Sequence, residues 1–340
     1  SYQIDENITS IAYGAFLGNK YIEEIIIPDS VDTIAGSVFE NCSKLKNVEL
    51  PKGLQSISFG LFKNCSSLKF LDIPDGVMWI EYESLMNCSS LTTLIIPDSV
   101  QNIDEALSGC NALTNVTMPT IAIPYIPKDA LKNVVLTSGD TILDQAFMGC
   151  TTLECITLPE SLVNIGNQAF YQCYHLSEVY NLSSLNIEKG SVDNGYIGYY
   201  AVSIYESLES SKLVTTEDGF VFYEEGDLLY LVRYEGIDAN IVLPQKYNDK
   251  NYEILPYAFS NNLILTSVTI PEEVLKIGFG AFYGCNNLES LVIPFVGNSA
   301  NIEEKSNFGY IFGANTYLDN STYVPSNLKN VTVTSASNIG

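Results

Sequence analysis

The chain has 340 residues, 46% of them hydrophobic and 16% charged, so it carries ample material for a core and lacks the composition of a disordered segment. Forty acidic side chains against 16 basic ones give a formal net charge of −24, which opposes approach to nucleic-acid phosphates or an anionic bilayer. No run of roughly 18 or more apolar residues occurs, and the N-terminal SYQIDENITS has neither region of a signal peptide; no membrane insertion is expected here, and no signal or anchor is expected within these residues.

From the first residues onward the chain repeats. Aligned on the proline of IIIPDSV (25–31), it follows L-x-x-[IVL]-x-[IVL]-P-x-x-[VL]-x-x-I-x-x-x-A-F-x-x-C. Prolines fall at Pro28, Pro51, Pro74, Pro97 and Pro119, separated by 23, 23, 23 and 22 residues. The register resumes at Thr137, Pro159, Ser183, Pro244, Pro271, Pro294 and Thr334, for about twelve turns.

Within a turn, LKNVEL (45–50), LKFLDI (68–73) and LTTLII (91–96) alternate apolar and polar residues, as a strand with one buried face requires. After the proline, SVDTI (30–34), GLQSI (53–57) and SLVNI (161–165) offer a second short extended piece. An A-F segment closes the turn, as at Ala15-Phe16, Ala146-Phe147, Ala169-Phe170, Ala258-Phe259 and Ala281-Phe282. It is too short to be a helix on its own, so packing on neighbouring turns must hold it. One turn cannot bury its apolar face, whereas stacked turns share a continuous core. The pattern predicts an α/β repeat solenoid, a right-handed superhelix with a parallel β-sheet on one face.

Seven of the eight cysteines, Cys42, Cys65, Cys88, Cys110, Cys150, Cys173 and Cys285, occupy one slot, where Asn19 and Asn262 stand in other turns. Stacked turns place them in an interior column, with β-carbons about 4.8 Å apart against the roughly 3.5–4.5 Å of a disulfide, so free thiols are expected. Cys155, at an outward strand position, is the one thiol expected to react.

Two insertions interrupt the array. Residues 183–238 contain GYIGYYA (195–201) and GFVFYEEGDLLYLVRYEG (219–236), a β-hairpin whose Gly226 suits a turn with positive φ. Residues 295–327 contain FGYIFGA (308–314), an echo of the first. The aromatics Tyr196, Tyr199, Tyr200, Tyr310 and Phe312 either dock these segments or offer a ligand-stacking site. The expected organisation is therefore one continuous domain: repeats over 1–182, an insertion over 183–238, repeats over 239–294, an insertion over 295–327, and a truncated last repeat over 328–340, fraying after about Thr334.

The stretch LTSVTIPEEVLKIGFGAFYGCNNLESLVIP (265–294) resembles the BspA-like class of leucine-rich repeat proteins. The resemblance implies a bacterial surface protein, extracellular and used in adhesion or host interaction, with no catalytic residues to carry over and no named ligand.

Little in the sequence points to chemistry. His175 is the single histidine and reads as a solvated turn residue. Its neighbour Cys173 lies in the buried column, no CxxC or phosphate-binding glycine loop is present, and no feature marks a catalytic carboxylate pair. No metal and no cofactor are expected. The triplets N-x-S at Asn41, Asn64 and Asn87 are by-products of the repeat.

Outward strand positions form two columns. One runs Glu24, Asn47, Phe70, Thr93, Asn115, Asn133, Cys155, Glu178; the other Ile26, Glu49, Asp72, Ile95, Thr117, Val135, Thr157, Tyr180. Exposed Phe70, Ile95 and Tyr180 beside Glu24, Glu49 and Asp72 are the candidate anchors for a host or matrix protein. A carbohydrate-binding module using Tyr196, Tyr199 and Tyr200 is the alternative, and an enzyme ranks third.

Overall fold

The computed structural model describes residues 2–208, 210–300 and 307–335. The chain divides into two compact units, Ser1–Glu209 and Ser210–Gly340.

In the first unit each repeat contributes one strand to the same face. Tyr2–Gln3, Glu24–Ile26 and Asn47–Glu49 form a three-stranded parallel sheet. Phe70–Asp72, Thr93–Ile95, Asn115–Met118, Asn133–Leu136, Cys155–Leu158, Glu178–Asn181 and Ser203–Tyr205 form a seven-stranded one. Register follows the repeat: Phe70 pairs with Thr93, Thr93 with Asn115, Asn133 with Cys155 and Cys155 with Glu178. Equivalent residues of successive turns therefore stand side by side. The last strand comes from the segment expected to be an insertion; it pairs parallel with Glu178–Asn181 and so continues the array.

The second extended pieces also stack, as Ser56–Ile57, Trp79–Ile80 and Asn102–Ile103 in one ladder and Thr141–Ile142 with Asn164–Ile165 in another. The third side is not helical. Its A-F segments are turns, and α-helix is confined to Ile197–Tyr200 and Asn320–Tyr323 among the described residues. Hydrogen bonds to the next turn hold each A-F segment, for example Phe39 N to Leu61 O at 2.9 Å and Phe147 N to Ala169 O at 2.8 Å. This is how so short a piece escapes the cost of nucleating a helix.

All three sides contribute to the core. Leu71, Leu94 and Ile156 from the sheet, Ile57 and Ile142 from the second strands, and Phe39, Phe62, Phe147 and Phe170 from the A-F turns are all buried. Phe39 stacks on Phe62 with ring centroids 5.6 Å apart, and Phe147 on Phe170 at 5.3 Å.

The residue before the slot shared by the seven repeat cysteines and Asn19 and Asn262 has a left-handed backbone: Gly18, Asn41, Asn64, Asn87, Gly109, Gly149, Gln172, Asn261 and Gly284 all have positive φ. Glycine and asparagine tolerate that conformation best, which explains the NCS spelling. The amides form a ladder, with Asn64 Nδ2 donating to Asn41 Oδ1 and Asn87 Nδ2 to Asn64 Oδ1, both at 2.9 Å.

The second unit has two sheets. Leu213–Thr215, Phe220–Glu225 and Leu228–Tyr234 pair antiparallel, and the last of these continues in parallel to Tyr252–Ile254 and then Val274–Ile277. The expected hairpin is present, with Gly226 at φ +62. Asn240–Val242, Ser267–Thr269, Ser290–Ile293 and Asn330–Val333 make the parallel sheet. Phe312, from the second aromatic-glycine segment, is buried and tilted against Phe282 at 6.3 Å. The Phe282 N–H donates to Ile311 O at 2.8 Å, so this segment takes the place of an A-F turn. The fraying expected beyond Thr334 falls on 336–340, outside the described residues.

Candidate functional site

The outward face of the first unit's sheet is open at one end and covered at the other, with Asn133 and Val135 exposed again between them. Glu24, Ile26, Asn47, Glu49, Phe70 and Asp72 are exposed, Thr93 and Ile95 are half-buried, and Thr157, Glu178 and Tyr180 are buried. Parallel register sets Glu24 beside Asn47, whose Nδ2 donates to Glu24 Oε1 at 3.2 Å, and sets Ile26 beside Glu49. At the edge Lys46 donates to Glu23 at 2.7 Å, which holds that carboxyl below its ordinary range and lifts the ammonium. The open end is thus an acidic surface with two apolar side chains, Ile26 and Phe70, standing in it.

Tyr180 corrects an expectation. It is only 9% exposed, and its ring stacks on Tyr205 at 4.8 Å, while Tyr205 Oη donates to Glu178 Oε1 at 3.2 Å. The strand Ser203–Tyr205 puts a neighbour beside it that no repeat spacing announces. Tyr180 is therefore part of the packing, not an exposed anchor.

The tyrosines of 195–201 also pack. Tyr196 meets Tyr171 edge-on at 5.3 Å, Tyr200 meets Tyr174 at 5.8 Å, and Tyr200 Oη accepts the Gln172 N–H at 3.1 Å. Tyr199 is 46% exposed and makes edge contacts with Tyr196 and Tyr200. Edge-to-face rings hold a segment down well but do not form a flat platform.

None of the eight cysteines is in a disulfide, and the seven of the repeat slot are buried. Six have an identified acceptor: Cys42, Cys65, Cys88, Cys110, Cys173 and Cys285 donate to the carbonyls of Phe16, Phe39, Phe62, Leu85, Phe147 and Phe259 at 2.9–3.2 Å. Burial raises the thiols of Cys42, Cys65 and Cys173 and pushes Cys285 up to about 12. A thiol so disposed is a poor nucleophile at neutral pH. Asn19 and Asn262, which share the slot, instead cap their own loops by accepting from the N–H groups of Tyr21 and Ile22, and of Ile264 and Leu265.

Cys155 is half-buried on the outer face, and His175 is half-buried instead of solvated. Cys173 beside it is turned inward, so the two do not make a nucleophile and base. Among the described residues no group of three or more His, Cys, Asp and Glu side chains could hold a metal ion, and no helix is long and apolar enough to cross a membrane.

The family model described as BspA type leucine rich repeat region (6 copies) matches residues 9–136, 128–223 and 240–339. A comparison with curated proteins finds no match. Among solved structures the chain is similar to a leucine rich cell surface protein from Faecalibacterium prausnitzii A2-165, at 20% identity, covering 99% of this chain and 88% of that one with a TM-score of 0.36. It is similar to the leucine rich repeat protein of T. pallidum at 28% identity, covering 51% of this chain and 76% of that one, TM-score 0.36. A leucine-rich repeat protein from Bacteroides ovatus ATCC 8483 is 23% identical, with 86% of each chain covered and a TM-score of 0.30.

Proposed function

This chain belongs to the BspA-type leucine-rich repeat family, and from that premise we propose that it is a non-enzymatic scaffold, extracellular at a bacterial surface, that adheres to a host or matrix protein. The partner docks on the open end of the first unit's sheet, where Glu24, Glu49 and Asp72 surround the exposed side chains of Ile26 and Phe70. That pairing of carboxylates with an aromatic anchor is the observation that carries the reading. It suits a basic segment: carboxylates steer the encounter, and burial of Phe70 supplies contact energy.

The test is binding of the purified chain to immobilised extracellular-matrix proteins and to cultured epithelial cells. Phe70→Ala, and separately the triple variant Glu24→Lys, Glu49→Lys, Asp72→Lys, are each expected to weaken binding about tenfold or more. Unchanged binding by both variants would refute the sheet face. A glycan-array signal that vanishes on Tyr199→Ala would favour the carbohydrate reading instead, which rests on that one exposed ring.

A further inference from the structure

The hydrogen-bonded ladder along the A-F side of the first unit is broken once. Elsewhere each turn is joined to the next by three rungs in most cases, by two at Leu85 and Asn87, and by a single backbone rung, Phe170 N to Gly195 O, at the last. Gly14, Phe16 and Gly18 N–H donate to Gly36, Val38 and Glu40 O at 3.2, 3.0 and 2.7 Å. Gly60, Phe62 and Asn64 donate to Tyr82, Ser84 and Met86, and Gln145, Phe147 and Gly149 to Asn167, Ala169 and Tyr171.

The turn between Pro119 and Thr137 is abbreviated. A 3-10 helix, Thr120–Tyr125, replaces both its second strand and its A-F segment. Consequently Asn102–Ile103 and Thr141–Ile142 each have a neighbouring strand on one side only. The carbonyls of Asp144, Ala146 and Met148 stand at the slots that accept elsewhere, yet receive no hydrogen bond among the described residues; across the break the N–H groups of Glu105, Leu107 and Gly109 likewise find no acceptor. Alongside the carbonyl row lies a hollow of about 240 Å³, walled by Ile123, Pro124 and Lys128 on one side and by Leu143 and Ala146 on the other.

We propose that this broken ladder is a docking site for a peptide segment of a partner protein. The segment lays its backbone along residues 144–148, donates N–H groups to the carbonyls of Asp144, Ala146 and Met148, and seats one aromatic side chain in the hollow. The same kind of carbonyl row is met elsewhere by one kind of segment: a large apolar residue, phenylalanine in most turns and Leu85 in one, with a left-handed residue two before and two after it. Gly14 and Gly18 flank Phe16 at φ +64 and +71, and Gly60 and Asn64 flank Phe62 at +59 and +60. The occupant is therefore a segment of this kind, and because glycine and asparagine hold the left-handed positions with least strain, Gly-x-Phe-x-Asn or Gly-x-Phe-x-Gly is its preferred spelling. A cavity of roughly 150 Å³ already accepts benzene, so the hollow is large enough for a phenyl ring. Recognition by adding a segment to an open edge is a general peptide-binding mode, with backbone bonds supplying affinity and a pocket supplying selectivity. This site lies away from the outer sheet face and does not depend on it.

The probe is the synthetic peptide acetyl-ISFGLFKN-amide, which copies residues 57–64, titrated against the full chain by fluorescence anisotropy. Saturable binding is expected. An analogue N-methylated at the amides equivalent to Gly60 and Phe62 should bind about tenfold or more weakly, because it lacks two donors. Leu143→Trp, at a side chain 60% exposed and so tolerant of change, should block the hollow and weaken the parent peptide to a similar degree. No saturable binding, equal binding of the N-methylated analogue, or indifference to Leu143→Trp would each overturn the proposal.

Discussion

The thiol of Cys65 donates to the carbonyl oxygen of Phe39 at 3.1 Å, reaching back 26 residues into the preceding turn. The same bond recurs from Cys88 to Phe62 and from Cys285 to Phe259. A small apolar side chain with one weak donor fits an interior slot that faces a single carbonyl, which is why cysteine and not alanine fills it. Cys65→Ala removes the bond and leaves a small void, and should lower stability by about 1–2 kcal/mol. A urea midpoint unchanged from the parent would show that the bond contributes nothing.

Alkaline pH should weaken the second unit through Cys285, its single cysteine. Burial pushes that thiol up to about 12 from an ordinary 9.0, so the folded state keeps a proton that the unfolded state has already released. The unfolded state binds fewer protons between those values, and stability must fall as pH rises through them, by about 1.4 kcal/mol per pH unit for one group. Below pH 9 the contribution is fully present. Comparing urea unfolding at pH 7.5 and 10.5 for the parent and Cys285→Val should show a smaller alkaline loss in the variant; equal losses would count against the buried thiol.

Asn64 serves two needs at once, a left-handed backbone at φ +60 and the amide ladder to Asn41 and Asn87. Asn64→Gly keeps the backbone but loses both amide bonds, for an expected cost of about 1 kcal/mol, and Asn64→Ala adds roughly 1 kcal/mol of strain. Thermal melts should rank parent above Gly above Ala. Ala at or above Gly would remove the conformational explanation.

Tyr205 covers Tyr180, and the pair closes one end of the outer sheet face. Tyr205→Ala should destabilise the first unit by about 3 kcal/mol, whereas Tyr205→Phe, which keeps the ring and loses the bond to Glu178, should cost about 1 kcal/mol. Chemical denaturation separates the two; similar losses would mean the ring stack is unimportant.

The solenoid, the thiol column and the hairpin could be read in advance because each follows from spacing or local turn chemistry, as Gly226 and the 23-residue step between Cys42, Cys65 and Cys88 show. The left-handed slot was not read in advance, although Gly18, Asn41, Asn64 and Gly109, the residue types that tolerate it best, stand there. Burial of Tyr180 was not, since its partner Tyr205 lies in a stretch without the repeat pattern. The abbreviated turn hid behind Pro119 and Thr137, which keep the proline slot although a step of 18 residues is too short for three sides. On the outer face the sequence placed Glu24, Glu49, Asp72 and Phe70 side by side, but which of its strands stay open depends on long-range packing.

The most direct measurement is a count of accessible thiols by alkylation and mass spectrometry, before and after unfolding. Turns stacked with their sulfur atoms inside should leave Cys155 as the sole residue modified within minutes in the native chain, and all eight modified in urea without any reductant. Rapid native modification of Cys65, Cys88 or Cys285, or an unfolded mass showing fewer than eight labels, would contradict the stacked interior.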